Sequence, residues 1–380
     1  RRGIGRHGRC TSFPGMAPGG SPPAPRPPRL AFVDALRGLA VSLMVVNHTA
    51  RWWLAPAVGL GRQPLIYATM ALAGPTFLFL VGVSLALGYH RAAVIEGRPF
   101  ATVAGRNVRR AAAILAAGAV VNVLVFPEDV LGARVLVSIA FMILVATPLL
   151  PALRSRPGRA ALLALAPALY VAFVWCLPAL AAWSRLHPLR AAVLFREFPV
   201  FPWLALVLLG LVAGWTEATA RDRWRRDRWY AGLGAAGALV LLGIAALAPG
   251  RAGGRGPGLA GDLTLNDYWT AGPITAAALT AAILVLLALA YATIERGGWR
   301  AGPLVGLGRA ALLVYVVHLV VVAPLGARAG GVVLRGWGPY LLATAWLLAG
   351  LGLLAAGWLL VRPRLRALAR AAGAAAGLAP

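Results

Sequence analysis

One apolar stretch carries an aspartate, an arginine and a histidine: Asp34, Arg37 and His48, within Phe32-Val-Asp-Ala-Leu-Arg-Gly-Leu-Ala-Val-Ser-Leu-Met-Val-Val-Asn-His-Thr49. Titratable groups cost roughly 2.5–3.5 kcal/mol each to bring into hydrocarbon, so a long apolar run that keeps them points to use. Arg37 and His48 are eleven residues apart, and eleven steps of about 100° return a helix to nearly the same face. Asp34, Arg37, Val41, Met44, Val45 and His48 therefore form one stripe. Groups of these types can pass a proton or line a substrate's path. The plainer alternative is an Asp34–Arg37 ion pair one turn apart and a histidine that only hydrogen-bonds between helices.

Composition says what kind of element carries the stripe. The chain of 380 residues is 60% hydrophobic with only 11 acidic residues, and its mean hydropathy is +0.77. That excludes an ordinary soluble domain and points to membrane spans. The formal charge of +26 comes from 37 arginines and no lysine. These arginines lie between apolar runs rather than in one patch, so the charge speaks for membrane orientation and against a nucleic-acid partner. Cys10 and Cys176 form no disulfide framework and no metal-binding spacing.

Apolar runs bounded by arginine, proline or glycine recur at about 31–50, 65–89, 111–127, 131–150, 160–183, 199–217, 229–249, 271–293, 303–324 and 338–361. Most reach the ~20 residues that cross about 30 Å of hydrocarbon. The expected fold is all-α, a polytopic protein of about ten transmembrane helices in a cell membrane. A basic Pro/Gly-rich tail, 1–29, is expected to be disordered; the membrane domain is 30–362 and a cytoplasmic tail is 363–380. No methionine precedes Met16, which marks it as a candidate start.

With both termini inside, 25 arginines fall in the tails and inner loops and ten in outer segments, while Arg37 and Arg309 lie within spans. That excess is the positive-inside pattern. The first and ninth spans then run outward. His48 and His318 come to nearly one height in the outer part of the bilayer, about 24 and 22 Å along their helices. Arg37 and Arg309 share a layer nearer the cytoplasm, but the nine-residue spacing of Arg309 and His318 puts them on opposite faces of a regular helix. Glu217 reads as a surface group and Asn122 as a packing residue. His90 and His187 read as loop-edge and loop residues, and Asp262, Asn266, Asp267 and Trp269 as an outer loop.

The segment from Arg29 to His48 resembles the opening span of multi-pass membrane acyltransferases, and Arg37, ten residues, then His48 resembles the hallmark of the acyltransferase-3 family. Gly74-Pro75-Thr76-Phe77-Leu78-Phe79 through Leu87, and Phe198-Pro-Val-Phe-Pro-Trp203-Leu leading to Gly210, look more like the heparan-α-glucosaminide N-acetyltransferase catalytic family and its bacterial relatives. Gly306-Leu-Gly308-Arg309 through Tyr315 and His318 resembles a late span of both. Where relatives often carry a polar pair in the fourth span, this chain has Val135-Leu-Val-Ser138-Ile-Ala, so the resemblance does not carry the substrate.

What the resemblance implies is transfer of an acyl group, acetyl by family, from cytoplasmic acetyl-CoA to an amine or hydroxyl of an extracytoplasmic or lipid-linked glycan. His48 would be the catalytic residue, as general base or brief acyl acceptor, with Asp34, Arg37 and His318 beside it. The phosphates of coenzyme A call for cytoplasmic arginines, and Arg91, Arg106, Arg109, Arg110, Arg223, Arg226 and Arg309 are the candidates. No metal is implied. Two other classes compete: a transporter of a lipid-linked glycan using Asp34, Arg37 and His48 as its pathway, and a membrane subunit without chemistry.

Overall fold

The structure is a computed structural model; it describes residues 29–58, 61–127, 134–185, 200–220, 222–247, 273–326 and 331–375. The chain divides into two compact units, Arg1–Leu30 and Ala31–Pro380. Of the first, residues 1–28 lie outside the described residues, and with them most of the expected disordered tail. His187 and the loop holding Asp262 to Trp269 lie outside them too.

Every apolar run of the sequence coincides with helix. In chain order these are α1 (Ala31–Trp52), α2 (Arg62–Tyr89), α3 (Phe100–Val125), α4 (Val135–Ala146), α5 (Arg156–Arg185) and α6 (Val200–Thr219). They continue as α7 (Arg223–Leu247), α8 (Pro273–Ala290), α9 (Gly302–Arg309), α10 (Ala311–Val322) and α11 (Trp337–Ala375). No strand occurs among the described residues; an isolated bridge joins Leu54 to Leu334. Eight helices among the described residues are long and apolar enough to cross a membrane, and nine if the bent pair α9–α10 counts as one span. Helix α5, 30 residues long, covers the remaining predicted run.

Three boundaries differ from the sequence reading. Helix α2 runs on through a π-helical turn to Ile95, and α3 begins at Phe100 rather than near residue 111. Between them Gly97 adopts φ +63, and the Arg98 amide closes the turn on the Ala92 carbonyl at 2.8 Å. A left-handed residue costs glycine nothing sterically, so the connection can be this short. Helix α11 likewise passes through Pro363 and continues to Ala375, so most of the expected tail is helical. Arginine side chains extend the polar ends of these helices without breaking them, because arginine is a good helix former.

The two ends of the bundle are built differently. At the Arg37 end, the Ala31 amide bonds to Glu295 at 3.0 Å, and Phe32 sets its edge against Tyr230 and Tyr291. All six carboxylates among the described residues, Asp34, Glu96, Glu217, Asp222, Asp227 and Glu295, lie toward this end of their helices. At the His48 end, the Trp53 indole donates to the Val322 carbonyl at 2.9 Å, and the Tyr340 hydroxyl to Val46 at 3.0 Å. There Arg62 caps the last turn of α1 through the Leu54 and Arg51 carbonyls.

Helix α1 is the central element. Its core residues Val41 and Val45 pack with Leu307, Ala311 and Val314 of the bent pair and Leu351 and Ala355 of α11. This is what lets a single helix hold both ends of the stripe against other elements.

Candidate functional site

The stripe begins with three charged groups on two helices. Asp34 accepts a hydrogen bond from Arg37 Nη1 through Oδ1 and one from Arg309 Nε, at 3.3 Å, through Oδ2. Arg37 also donates from Nη2 to Ser84 Oγ on α2, at 2.9 Å. One carboxylate thus answers two guanidinium groups, and the cluster keeps an excess positive charge. Helix α3 adds to it, since Arg110 lies within electrostatic range of both Arg37 and Arg106.

Backbone proximity makes the Asp34–Arg309 contact possible. A Cβ on Gly308 would sit 1.7 Å from the Asp34 carbonyl oxygen, and one on Gly38 would sit 1.9 Å from that of Leu304. With glycine at both places, α1 and α9 touch main chain to main chain. Any side chain there would hold Arg309 away from Asp34.

At the other end of the stripe, His48 Nδ1 lies 2.9 Å from His318 Nε2. The rings are nearly parallel, 12° apart. His318 is fully buried, with its Nδ1 3.0 Å from the Val314 carbonyl. A carbonyl oxygen only accepts, so in the neutral ring that nitrogen carries the hydrogen and Nε2 bears the lone pair. His48 must then donate from Nδ1. Its Nε2 is left with a lone pair on a half-buried ring.

A regular helix would keep Arg309 and His318, nine residues apart, on opposite faces. The structure resolves the conflict by a break: α9 and α10 meet at 84°. Ala310, at φ −104 and ψ 16, leaves the helical region, and its amide is shared between the Gly306 and Leu307 carbonyls at 3.2 Å each. Each half then presents its own polar residue to α1.

The remaining sequence candidates divide by location. Arg91, Arg106, Arg109, Arg110, Arg223 and Arg226 lie on helical turns rather than in the loops assigned to them, because α2, α3 and α7 are longer than their apolar runs. Arg91 is bonded to Glu96 at 2.8 Å. That bond holds the Glu96 carboxyl below its usual range, with burial opposing and Arg98 assisting. Arg106 donates to the Gly88 carbonyl at 3.1 Å, while Arg109 and Arg223 are exposed.

Glu217, expected at the surface, is buried; it accepts from the Tyr230 hydroxyl at 3.0 Å and faces Arg226 at 3.5 Å. The last turn of α6 is covered by α7, which an apolar-run reading cannot see. His90, expected at a loop edge, sits in the π-helical turn with its ring edge-on to Trp215. Asn122 is buried as expected of a packing residue.

Two partners were passed over. Ser84 lay in a segment noted for its resemblance but had no reason to be matched with Arg37. Trp52 stacks on His48, with ring centroids 4.9 Å apart; its position one turn along α1 was the available signal. An apolar cavity of about 380 Å³ between α5, α6, α7 and α8, lined by residues such as Tyr170, Trp203 and Leu284, contains none of the stripe residues.

Comparison with known families matches residues 29–248 to the family described as Heparan-alpha-glucosaminide N-acetyltransferase, catalytic. The chain belongs to that family. Comparison with curated proteins finds no match. The heparan-alpha-glucosaminide N-acetyltransferase family points to a transmembrane acetyltransferase, in agreement with the apolar helices. The matched region contains Asp34, Arg37 and His48 but stops before Arg309 and His318, which the tertiary structure supplies.

Proposed function

We propose that this protein transfers an acyl group, acetyl by family, from acetyl-CoA to an amine or hydroxyl of an extracytoplasmic or lipid-linked glycan, with His48 as the general base. The observation that carries the reading is the His48–His318 contact. It commits one nitrogen of the half-buried ring and leaves the other with its lone pair, which is the arrangement a base needs. His318 is a positioning residue in this scheme, since it is fully buried and acts through His48.

His48 Nε2 takes the proton of the acceptor N–H or O–H while the acceptor atom attacks the thioester carbonyl carbon. The new C–N or C–O bond forms, the C–S bond breaks, and the thiolate leaves with the proton returned by the imidazolium. Direct attack is preferred over an acyl-imidazole, which water would hydrolyse.

The donor would come from the Arg37 end, taken as cytoplasmic from the arginine distribution. Arg37, Arg309, Arg106 and Arg110 would face its phosphates, with Arg91, Arg109, Arg223 and Arg226 around them. Arg37 to His48 is about 16 Å along α1, a distance suited to an extended pantetheine arm.

The test is acetyl-CoA-dependent labelling of cell-envelope glycans by membranes carrying wild-type or His48→Ala protein. Loss of label by on the order of 10²–10⁴-fold is expected with folding intact. Unchanged turnover would overturn the proposal.

A further inference from the structure

When His48 accepts a proton it becomes a cation inside the bundle. In the familiar serine-protease triad a carboxylate answers the charge of the base. Here the relay from His48 through His318 ends on the backbone carbonyl of Val314, which carries no full charge. The six carboxylates among the described residues lie toward the opposite end of the bundle.

What does lie against His48 is an indole. Trp52 follows it by one turn of α1, and the two rings stack with centroids 4.9 Å apart and planes 18° apart. A cation within about 6 Å of the face of a tryptophan ring is attracted by its quadrupole, more strongly where water is excluded. Phe126, buried at the end of α3, stands 6.3 Å from the Trp52 ring.

The charged and titratable groups around this pair come from several elements. His318 faces His48 from α10, and Arg51 acts on it from its own helix. Arg62 of α2 bonds to the Arg51 carbonyl. Arg134, just before α4, places its guanidinium 3.4 Å from the centre of the Phe126 ring, and that ring in turn stands 6.3 Å from Trp52. His318 is neutral in the relay, and the other groups named here are arginines. The indole face stacked on the His48 ring favours its protonated form.

We propose that Trp52 is a positioning residue that stabilises the positively charged form of His48 during catalysis. The inference rests on the reading of His48 as the base. In the reaction the indole neither gives nor takes a proton. It holds the ring flat and makes its protonated form less costly, so the base is stronger when the acceptor loses its proton.

The test compares pH–rate profiles of the purified full-length chain, wild type against Trp52→Leu and Trp52→Phe, with thermal unfolding of each. Trp52→Leu is expected to lower kcat/KM by about 3- to 10-fold. It should also move the acidic limb of the profile to lower pH by about half a unit or more. Trp52→Phe keeps an aromatic face, so its limb should stay closer to that of wild type. An acidic limb that does not move in folded Trp52→Leu would overturn the proposal while leaving His48 as base. Activity surviving His48→Ala would overturn the base reading itself. Should Trp52→Leu fail to fold, Trp52→Met takes its place: it fills the site without an aromatic ring, and an acidic limb that stays at the wild-type position in it would overturn the proposal.

Discussion

His318 sets which nitrogen of His48 is available, and this makes the pair separable by substitution. His318→Leu removes the acceptor for His48 Nδ1, so activity should fall by on the order of 10²-fold. His318→Gln, which can offer an amide oxygen, should lose less; equal losses in steady-state kinetics would argue for a packing role alone. Asp34 gives a second prediction. Asp34→Asn leaves Arg37 and Arg309 facing each other without their shared carboxylate. Arg309 is 39% exposed, so the loss should be about 1–3 kcal/mol, less than for a fully buried pair, as read from thermal unfolding in detergent. The two arginines and two histidines were legible in the sequence as residues out of place in an apolar run. Ser84 and Trp52 were not, since a serine or tryptophan in a membrane helix costs little and so raises no alarm.

Helices α1 and α9 meet through glycine backbones, and the contact holds only while nothing larger occupies it. Gly308→Ala places a methyl group 1.7 Å from a carbonyl oxygen, so α9 must move. The expected cost is about 1–3 kcal/mol, with loss of activity as Arg309 leaves Asp34. Gly306→Ala, where an added Cβ meets nothing within 4 Å, is the matched control and should be close to neutral. If the two variants unfold at the same temperature, the close approach is not important. The apolar periodicity announced one span here, which is half right. A break costs nothing visible in a run that stays hydrophobic on both sides, so its 84° bend could not be read from residue types.

Among the described residues, the carboxylates and most arginines lie toward one end of the bundle and the His48–His318 pair toward the other. If the Arg37 end faces the cytoplasm, a single cysteine at residue 98 in a background lacking Cys10 and Cys176 should react with a membrane-impermeant thiol reagent only after the cells are opened. A cysteine at residue 57 should react in intact cells, and the reverse pattern would invert the donor and acceptor sides. A transporter built on paired broken helices needs a second interruption. Among the described residues α9–α10 is the one bent pair that qualifies as a span.

Composition and spacing by themselves determined that the chain is a helical membrane protein, where its apolar runs lie, and which polar residues share a level in it. Those properties follow from the cost of polar groups in hydrocarbon and from the fixed rise of a helix, both local in sequence. Which polar groups touch was decided by the tertiary structure alone. Residues 34 and 309, or 48 and 318, are brought together by glycine contact and a helix break, and neither the side chains' types nor their spacing encodes an encounter between segments some 270 residues apart.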